Sequence, residues 1–144
     1  MESIEHAPRP ASSAIVRRGN RFLLVRRINP PSADMFAFPG GRGEPGETPE
    51  ETALRELYEE TGITARHPVL FASYDLPSRN ESGVLTSHYF LSVFIVEADE
   101  EAEAIAADDA ADPGWYTVEE IRRLPVPESV LECADRLERQ LHAS

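Results

Sequence analysis

One helix has both of its ends specified by the sequence, and it constrains the fold more than any other feature. Thr48 can cap the first free amides, Pro49 suits the first helical position, and Glu51 completes a capping box. Gly62 supplies the left-handed residue at which helices commonly end. These signals predict a helix over residues 49–61.

Runs rich in β-branched and aromatic residues lie on both sides of this helix and are typical of strands. The pair Gly19-Asn20 joins the first two runs, as in a two-residue hairpin. Polar segments at residues 77–86 and 97–112 are predicted to be loops. We predict strands at residues 13–18, 21–27, 36–38, 69–76, 87–96 and 115–117.

The last part of the chain predicts further helix. Thr117 and Glu120 form a second capping box for a short turn that ends before Pro125. An amphipathic helix is predicted to follow at residues 128–141. Strands on both sides of one helix, with another helix at the end, favour an α/β sandwich with a mixed sheet.

Length and composition set the class of protein. The chain has 144 residues, 41% of them hydrophobic, enough to bury one core without disulfides or a structural metal. We expect a single domain over residues 1–144, with its core at about 12–124 and a terminal helix at about 128–141. Cys133 is the only cysteine, which excludes an internal disulfide and predicts a buried thiol.

Charge excludes several kinds of partner. A net charge of -12 opposes binding to a nucleic acid or an anionic membrane, because both need a basic surface. All 14 basic residues are arginines, so guanidinium groups suited to phosphate are plentiful while lysine chemistry is excluded. Since the sequence shows neither a secretory signal nor an apolar run of membrane-spanning length, we expect a cytoplasmic protein.

Seven glutamates are concentrated between Gly40 and Ile63, where like charges three and four residues apart repel one another. At about 100° per residue, Glu56, Glu59 and Glu60 share one face of the predicted helix. Clustered carboxylates oppose one another's ionisation unless a cation lies among them, and oxygen ligands suit Mg²⁺ or Mn²⁺. A solvated acidic helix is the other interpretation that this pattern allows.

The surroundings of this helix face help to decide between a metal site and a solvated acidic helix. Leu54 and Tyr58 lie further round the helix, and we expect them to pack on the sheet. The glycine-rich loop at residues 40–46 comes just before the helix, so it can bring backbone carbonyls and Glu47 to the same place. A metal site made from two elements is therefore predicted.

The same segment resembles the Nudix box, GX5EX7REUXEEXGU, in which U is an aliphatic residue. All nine specified positions match: Gly41, Glu47, Arg55, Glu56, Leu57, Glu59, Glu60, Gly62 and Ile63. The runs RFLLVRR, FAFPGG and WYTVEEI follow the order usual in the family, so the likeness covers residues 12–124. Phe36 stands where many members carry tryptophan, a difference that affects packing more than chemistry.

This resemblance implies a Mg²⁺-dependent hydrolase with the family's α/β/α sandwich, for which Mn²⁺ can substitute. Its reaction would cleave a nucleoside diphosphate linked to another group. Arg55 would orient the carboxylates through a salt bridge, and Glu47 would support the loop and the helix. The metal ligands that the resemblance implies are Glu56, Glu60, Glu59 and the carbonyl of Gly40.

The resemblance leaves the general base open. Glu59 is one candidate, and the other is a carboxylate from the loop before Trp115, at Asp108 or Asp109. A base must reach the attacking water, and a mobile loop can deliver one when substrate binds. A solvated acidic loop is the alternative interpretation of the two aspartates.

Two features favour ADP-ribose or a related nucleotide sugar as the substrate. Pro77 lies fifteen residues after Gly62, near where ADP-ribose pyrophosphatases of the family tend to carry proline. The Asp-Asp-Ala sequence ahead of Trp115 is also similar to that branch. Oxidised or ordinary nucleoside triphosphates rank second, and a non-catalytic nucleotide-binding module is the alternative of another class.

Side chains outside the box supply candidate contacts to a small-molecule nucleotide. Tyr74, Tyr89 and Phe90 can stack on a base, although core packing is the commoner role of strand aromatics. Dimerisation is common in the ADP-ribose branch, so a homodimer is an assembly that the resemblance allows. The candidate phosphate contacts are Arg26, Arg27, Arg42 and Arg79.

Overall fold

The structure is a computed structural model that describes residues 7–28, 33–106 and 110–142, without the side chains of 141 and 142. Its strands and helices follow one another along the chain. They are β1 Arg9–Ile15, β2 Arg17–Arg18, β3 Arg21–Arg27, β4 Phe36–Ala37, β5 Gly40–Arg42, α1 Pro49–Thr61, β6 Ala65–Arg79, β7 Leu85–Ala98, β8 Ala110–Tyr116, α2 Val118–Ile121 and α3 Glu128–His142.

The strands form two sheets that meet at one residue. The first sheet has the order β5-β1-β7-β6, and it is mixed because β1 and β7 run parallel while the other neighbours are antiparallel. In the second sheet, β3 pairs antiparallel with β2, β4 and β8. Val16 lies between β1 and β2, and its carbonyl accepts the Leu23 amide at 3.0 Å.

Helices α1 and α3 cover opposite faces, which confirms the predicted α/β/α sandwich. Because successive strand residues point to opposite faces, Ala14 packs on the α1 side and Ile15 on the α3 side. The α1-side core consists of Ala14, Val16, Leu23, Ala53, Leu57, Ile63, Phe94 and Val96. The α3-side core includes Ile15, Phe22, Leu24, Val93, Val130, Cys133, Ala134 and Leu137.

The ends of α1 are those that the sequence predicts. Thr48 accepts the Glu51 amide at 3.1 Å, and the Glu51 carboxylate accepts the Thr48 amide at 2.9 Å. Gly62 ends the helix with φ 78°. Tyr58 is 58% exposed, so the expectation that it packs on the sheet is wrong. The buried side chain next to it is Leu57, about 100° away around the helix.

Strand lengths depart from prediction in the second half of the chain. Strands β6 and β7 continue to Arg79 and from Leu85, so the loop predicted at residues 77–86 shrinks to a turn. In that turn the Asn80 amide donates to the Val84 carbonyl at 3.0 Å. Strand β8 begins within the predicted 97–112 loop because its backbone pairs with β3.

No helix in the described parts of the chain is long and apolar enough to cross a membrane.

Candidate active site

A cleft of about 1030 Å³ opens between the two sheets and the start of α3. Ser13 and Leu91 line it from the first sheet, and Val25 and Arg27 line it from the second. Ser129 lines it from α3. The cleft therefore collects residues from distant parts of the sequence.

Two carboxylates from α1 reach the wall of this cleft. Glu56 and Glu60 lie one helical turn apart, so both project toward β5. The Gly40 amide donates to Glu60 Oε1 at 3.2 Å. A β-carbon at Gly41 would stand 2.5 Å from the carboxyl carbon of Glu56, so glycine is required for this close approach.

Burial governs the protonation of this pair. Glu60 is only 6% exposed. Loss of water, followed by the neighbouring charge of Glu56, raises the pKa of Glu60 to about 8. The Gly40 amide and the Arg27 guanidinium lower the pKa of Glu60, but by less than burial and Glu56 raise it. The pKa of Glu56 is also raised, again chiefly by burial.

Arg55 organises the carboxylates nearest to it. Its Nε and Nη2 donate to the two oxygens of Glu47 at 2.7 and 3.0 Å. Its Nη1 donates to Glu56 and to Glu59, at 3.0 Å in each case. Nη2 also donates to the Arg42 carbonyl at 3.0 Å. One guanidinium thus ties the helix to the glycine-rich loop.

Glu47 has a full set of hydrogen-bond donors. Besides Arg55, it accepts the Thr52 hydroxyl at 2.7 Å and the Glu44 amide at 3.0 Å. The hydrogen bond from Arg55 is the main reason that the pKa of Glu47 is lowered to about 2. Glu47 is therefore an ionised structural brace between the loop and the helix.

Glu56 and Glu60 are the two carboxylates of α1 that line the cleft and can hold a divalent cation there. Glu59 is 40% exposed, and its carboxylate lies on Arg55. Across residues 7–28, 33–106 and 110–142, no three His, Cys, Asp or Glu side chains converge as metal ligands would. Glu56 and Glu60 offer the oxygen donors that hard cations prefer, and a cation would relieve their mutual repulsion.

The four candidate phosphate contacts lie in different places. Arg27 and Arg42 line the cleft. Arg26 is held instead by two aspartates, at 2.7 and 3.0 Å. Arg79 donates to the Gly83 carbonyl at the β6–β7 turn. The first two are therefore the arginines that a ligand in the cleft would meet.

The three aromatic residues that could stack on a base also differ in position. Tyr89 lines the cleft, whereas the Tyr74 hydroxyl donates to Glu132 at 2.5 Å and its ring packs against the α3-side core. Phe90 is 43% exposed on the other face of β7. Tyr89 is thus placed to meet a ligand.

Asp108 and Asp109 lie outside the described residues, so the choice of general base stays a prediction. Sequence reasoning missed the wall formed by Ser13, Leu91 and Ser129. Strand serines and the start of a helix carry no local signal of what they face, because tertiary packing decides it. Alternation along β1 was the one available hint.

Comparison with known proteins identifies the fold and the family. A family model described as a NUDIX domain matches residues 7–137. The chain belongs to the Nudix family. Members of this family generally use divalent metal ions.

Two relatives of this Nudix chain are named for different activities. It is 35% identical over 117 residues to the "ADP-ribose pyrophosphatase" of Methanocaldococcus jannaschii, covering 81% of this chain and 66% of the relative. It is 43% identical over 70 residues to the "8-oxo-dGTP diphosphatase" of Escherichia coli, covering 46% of this chain and 54% of the relative. The chain thus spans less than two thirds of these relatives.

A solved structure shares the Nudix fold. The "MutT NUDIX hydrolase from Burkholderia pseudomallei" matches with a TM-score of 0.77 at 22% identity, covering 90% of this chain and 98% of that one. At this identity the likeness shows the fold alone, and it agrees with the two-sheet sandwich described above.

Proposed function

We propose that this Nudix domain hydrolyses the pyrophosphate bond of a nucleoside diphosphate linked to another group, with a divalent metal ion. The observation that carries the proposal is the pair formed by buried Glu60 and partly buried Glu56 on the cleft wall. Two adjacent carboxylates are expensive to ionise there unless a cation binds between them. A solvated acidic helix would leave both side chains exposed.

The proposed metal ligands are Glu56 and Glu60, with Glu59 and the Gly40 carbonyl as further ligands to Mg²⁺ or Mn²⁺. When bound, the cation polarises a phosphate oxygen, offsets the charge that grows on the leaving group and lowers the pKa of a bound water. The Gly40 amide holds one oxygen of Glu60 in place.

The proposed roles of the remaining box residues follow from their contacts. Arg55 fixes the Glu56 and Glu59 side chains by hydrogen bonds at 3.0 Å and so orients Glu56 on the cleft wall. Glu47 holds Arg55 in the orientation that this requires. Glu59 is one proposed general base because its carboxylate is the most open of these, and Asp108 and Asp109 are the alternatives.

For the substrate we propose ADP-ribose or a related nucleotide sugar. The cleft lies at the upper end of ordinary ligand-pocket volumes, about 300–1,000 Å³, and so suits a substrate with two bulky parts. The relative named as an ADP-ribose pyrophosphatase supports this choice. Arg27 and Arg42 are the proposed phosphate contacts, and Tyr89 can stack on a base.

A second candidate is hydrolysis of oxidised or ordinary nucleoside triphosphates. The relative named as an 8-oxo-dGTP diphosphatase favours it, over the shorter share of this chain. A non-catalytic nucleotide-binding module is the alternative of another class.

A substrate panel separates these functions. Purified protein would be incubated with Mg²⁺ or Mn²⁺ and ADP-ribose, NADH, diadenosine polyphosphates, nucleotide sugars or 8-oxo-dGTP, and the products separated by chromatography. We expect the highest kcat/KM for ADP-ribose or a nucleotide sugar. Preference for the triphosphate would reverse the substrate ranking. Nucleotide binding without turnover of any compound would contradict the enzymatic proposal.

The proposed partner is therefore a small-molecule nucleotide. A homodimer, which the ADP-ribose branch allows, is tested by light scattering of the purified protein. The expected cytoplasmic location suits a nucleotide substrate and stays a prediction, as does a single domain over residues 1–144.

A further inference from the structure

One buried hydroxyl in the described part of the chain has no hydrogen-bond partner there, and it belongs to Ser12 on β1. Ser12 is 1% exposed. A buried polar atom left without a partner destabilises a fold, so such atoms are rare and point to an unrecorded ligand, a water or a function.

The position of Ser12 links this hydroxyl to the buried carboxylates. Ser12 lies two residues before Ala14, which packs on the α1 side, so the Ser12 side chain points to α1 as well. In the sheet register Ser12 stands opposite Gly41 of β5 and beside Ser92 of β7. Gly41 is the glycine whose missing side chain makes room for the Glu56 carboxylate.

Gly41, Ser12 and Ser92 form a row across three strands, and this row brings the Ser12 hydroxyl near the Glu56 carboxylate. Opposed residues of an antiparallel pair carry their β-carbons about 5 Å apart on the same face. The Glu56 carboxyl carbon lies 2.5 Å from the place of a β-carbon on Gly41. A water between the Ser12 hydroxyl and the Glu56 carboxylate would make one hydrogen bond of about 2.8 Å to each of them.

The row also supplies the polar contacts that a buried water needs. Such waters make about three hydrogen bonds. Ser12 lies between Glu56, at Gly41 on one side, and the hydroxyl of Ser92, which is 8% exposed, on the other, so these three groups are the candidate partners of the water. The cleft lining includes Ser12, Gly41 and Glu56 together, so water can reach this point from the cleft.

We propose that Ser12 is a positioning residue that holds the Glu56 carboxylate in its metal-binding orientation through a water shared with Ser92. The inference rests on the proposed metal-dependent function. It assigns Ser12 a role in metal affinity rather than in folding. Arg55 holds one oxygen of Glu56 from the solvent side, and Ser12 restrains the same carboxylate from beneath.

Three alanine variants test this assignment. Ser12→Ala removes the hydroxyl, Ser92→Ala removes the second partner of the water, and Ser73→Ala is the control. Ser73 pairs with Ser92 in the same row but lies exposed on β6, away from the carboxylates. For each variant the dissociation constant for Mn²⁺ would be measured by electron paramagnetic resonance of the free ion, and Tm would be measured without metal.

We expect Ser12→Ala to bind Mn²⁺ about five-fold more weakly, the scale of one lost hydrogen bond, with Tm unchanged or higher. Ser92→Ala should weaken binding less, and Ser73→Ala should match wild type. Unchanged Mn²⁺ affinity in Ser12→Ala, or equal weakening in Ser73→Ala, would overturn the inference. Should Ser12→Ala fail to fold, wild-type Mn²⁺ affinity in Ser92→Ala would overturn it instead.

Glu56→Gln separates this inference from the proposed function. If wild type binds Mn²⁺ no better than Glu56→Gln, the metal assignment fails and the role of Ser12 fails with it. If Glu56→Gln loses binding while Ser12→Ala keeps it, the proposed function stands and the role of Ser12 alone is wrong.

Discussion

Glu47 and Glu60 are the same residue type thirteen positions apart in the Nudix box, yet they lie in opposite electrostatic environments. Glu47 accepts two hydrogen bonds from Arg55, and its pKa is lowered to about 2. Glu60 accepts one backbone amide in a buried place beside Glu56, and its pKa is raised to about 8.

The difference shows that one short segment can hold two kinds of glutamate. The charge of Glu47 is neutralised by Arg55, whereas Glu60 accepts a backbone amide. Arg55 balances Glu47 and contacts Glu56 and Glu59, but Glu60 has no such partner among the hydrogen bonds and ion pairs of the described residues. Glu47 needs only its contacts with Arg55 to act as a structural brace. Glu60 is stable in its ionised form when a cation from solution binds beside it.

The largest effect is expected from Glu60→Gln. A neutral amide cannot supply the charge that a cation requires, so kcat/KM should fall by about 10²–10³-fold, as when one preorganised electrostatic group is removed. The measurement is steady-state hydrolysis of the preferred substrate with Mg²⁺, alongside circular dichroism. Glu50→Gln, at an exposed position in the first turn of α1, is the control. A folded Glu60→Gln protein with near wild-type turnover would remove Glu60 from the metal site.

The second effect is a pH dependence of stability in the metal-free protein. Because the pKa of Glu60 is raised to about 8, the folded state keeps a proton that the unfolded chain releases above about 4.5. Stability should therefore fall by about 2–4 kcal/mol as pH rises from 5 to 8. Thermal melts in chelator would measure it, and Glu60→Gln should flatten the slope. An equal slope in both proteins would contradict the raised pKa.

Glu47 should act in a separate pH window. Its lowered pKa adds stability that is fully present above about 4.5 and is lost as pH falls toward 2. Glu47→Gln should therefore destabilise the fold by about 1.5–3 kcal/mol at pH 7, the usual worth of hydrogen bonds to a charged group. Urea unfolding of this variant beside Glu50→Gln, which should change by less than about 0.5 kcal/mol, is the measurement. Equal stability of the two variants would deny Glu47 its bracing role.

The smallest effect is expected at neighbouring arginines. Arg27 lines the cleft and lowers the pKa of Glu60, whereas Arg26 is held by Asp34 and Asp112. Arg27→Gln should raise KM by about tenfold, equivalent to about 1.4 kcal/mol, and Arg26→Gln should leave KM near wild type. Matching KM changes in the two variants would show that the cleft does not distinguish them.

The sequence predicts elements whose signals are local. The ends of α1 are set by Thr48, Glu51 and Gly62, each within one turn of the helix terminus, and they were predicted to the residue. The extent of β6 and β7 was not, because Pro77 and the polar residues near it suggest a loop. Those residues are paired only because another strand lies beside them.

The same distinction separates the parts of the candidate site. Glu56 and Glu60 come together through helix periodicity, which the sequence contains. The burial that raises their pKa values includes the close approach of β5, and nothing near them in sequence shows it. The separation of Arg26 from Arg27 likewise follows from strand alternation and distant aspartates.

Val16, the residue at which the two sheets meet, limits how the cleft can adapt. The segment that carries Ser13 on one wall continues directly into the strands that carry Val25 and Arg27 on the other, and the Leu23 amide bonds to the Val16 carbonyl at the corner. Because the two walls are continuous through this corner, we expect them to move little relative to each other. We expect adjustment to substrates of different length at the start of α3, which lines the cleft and is not joined to that corner.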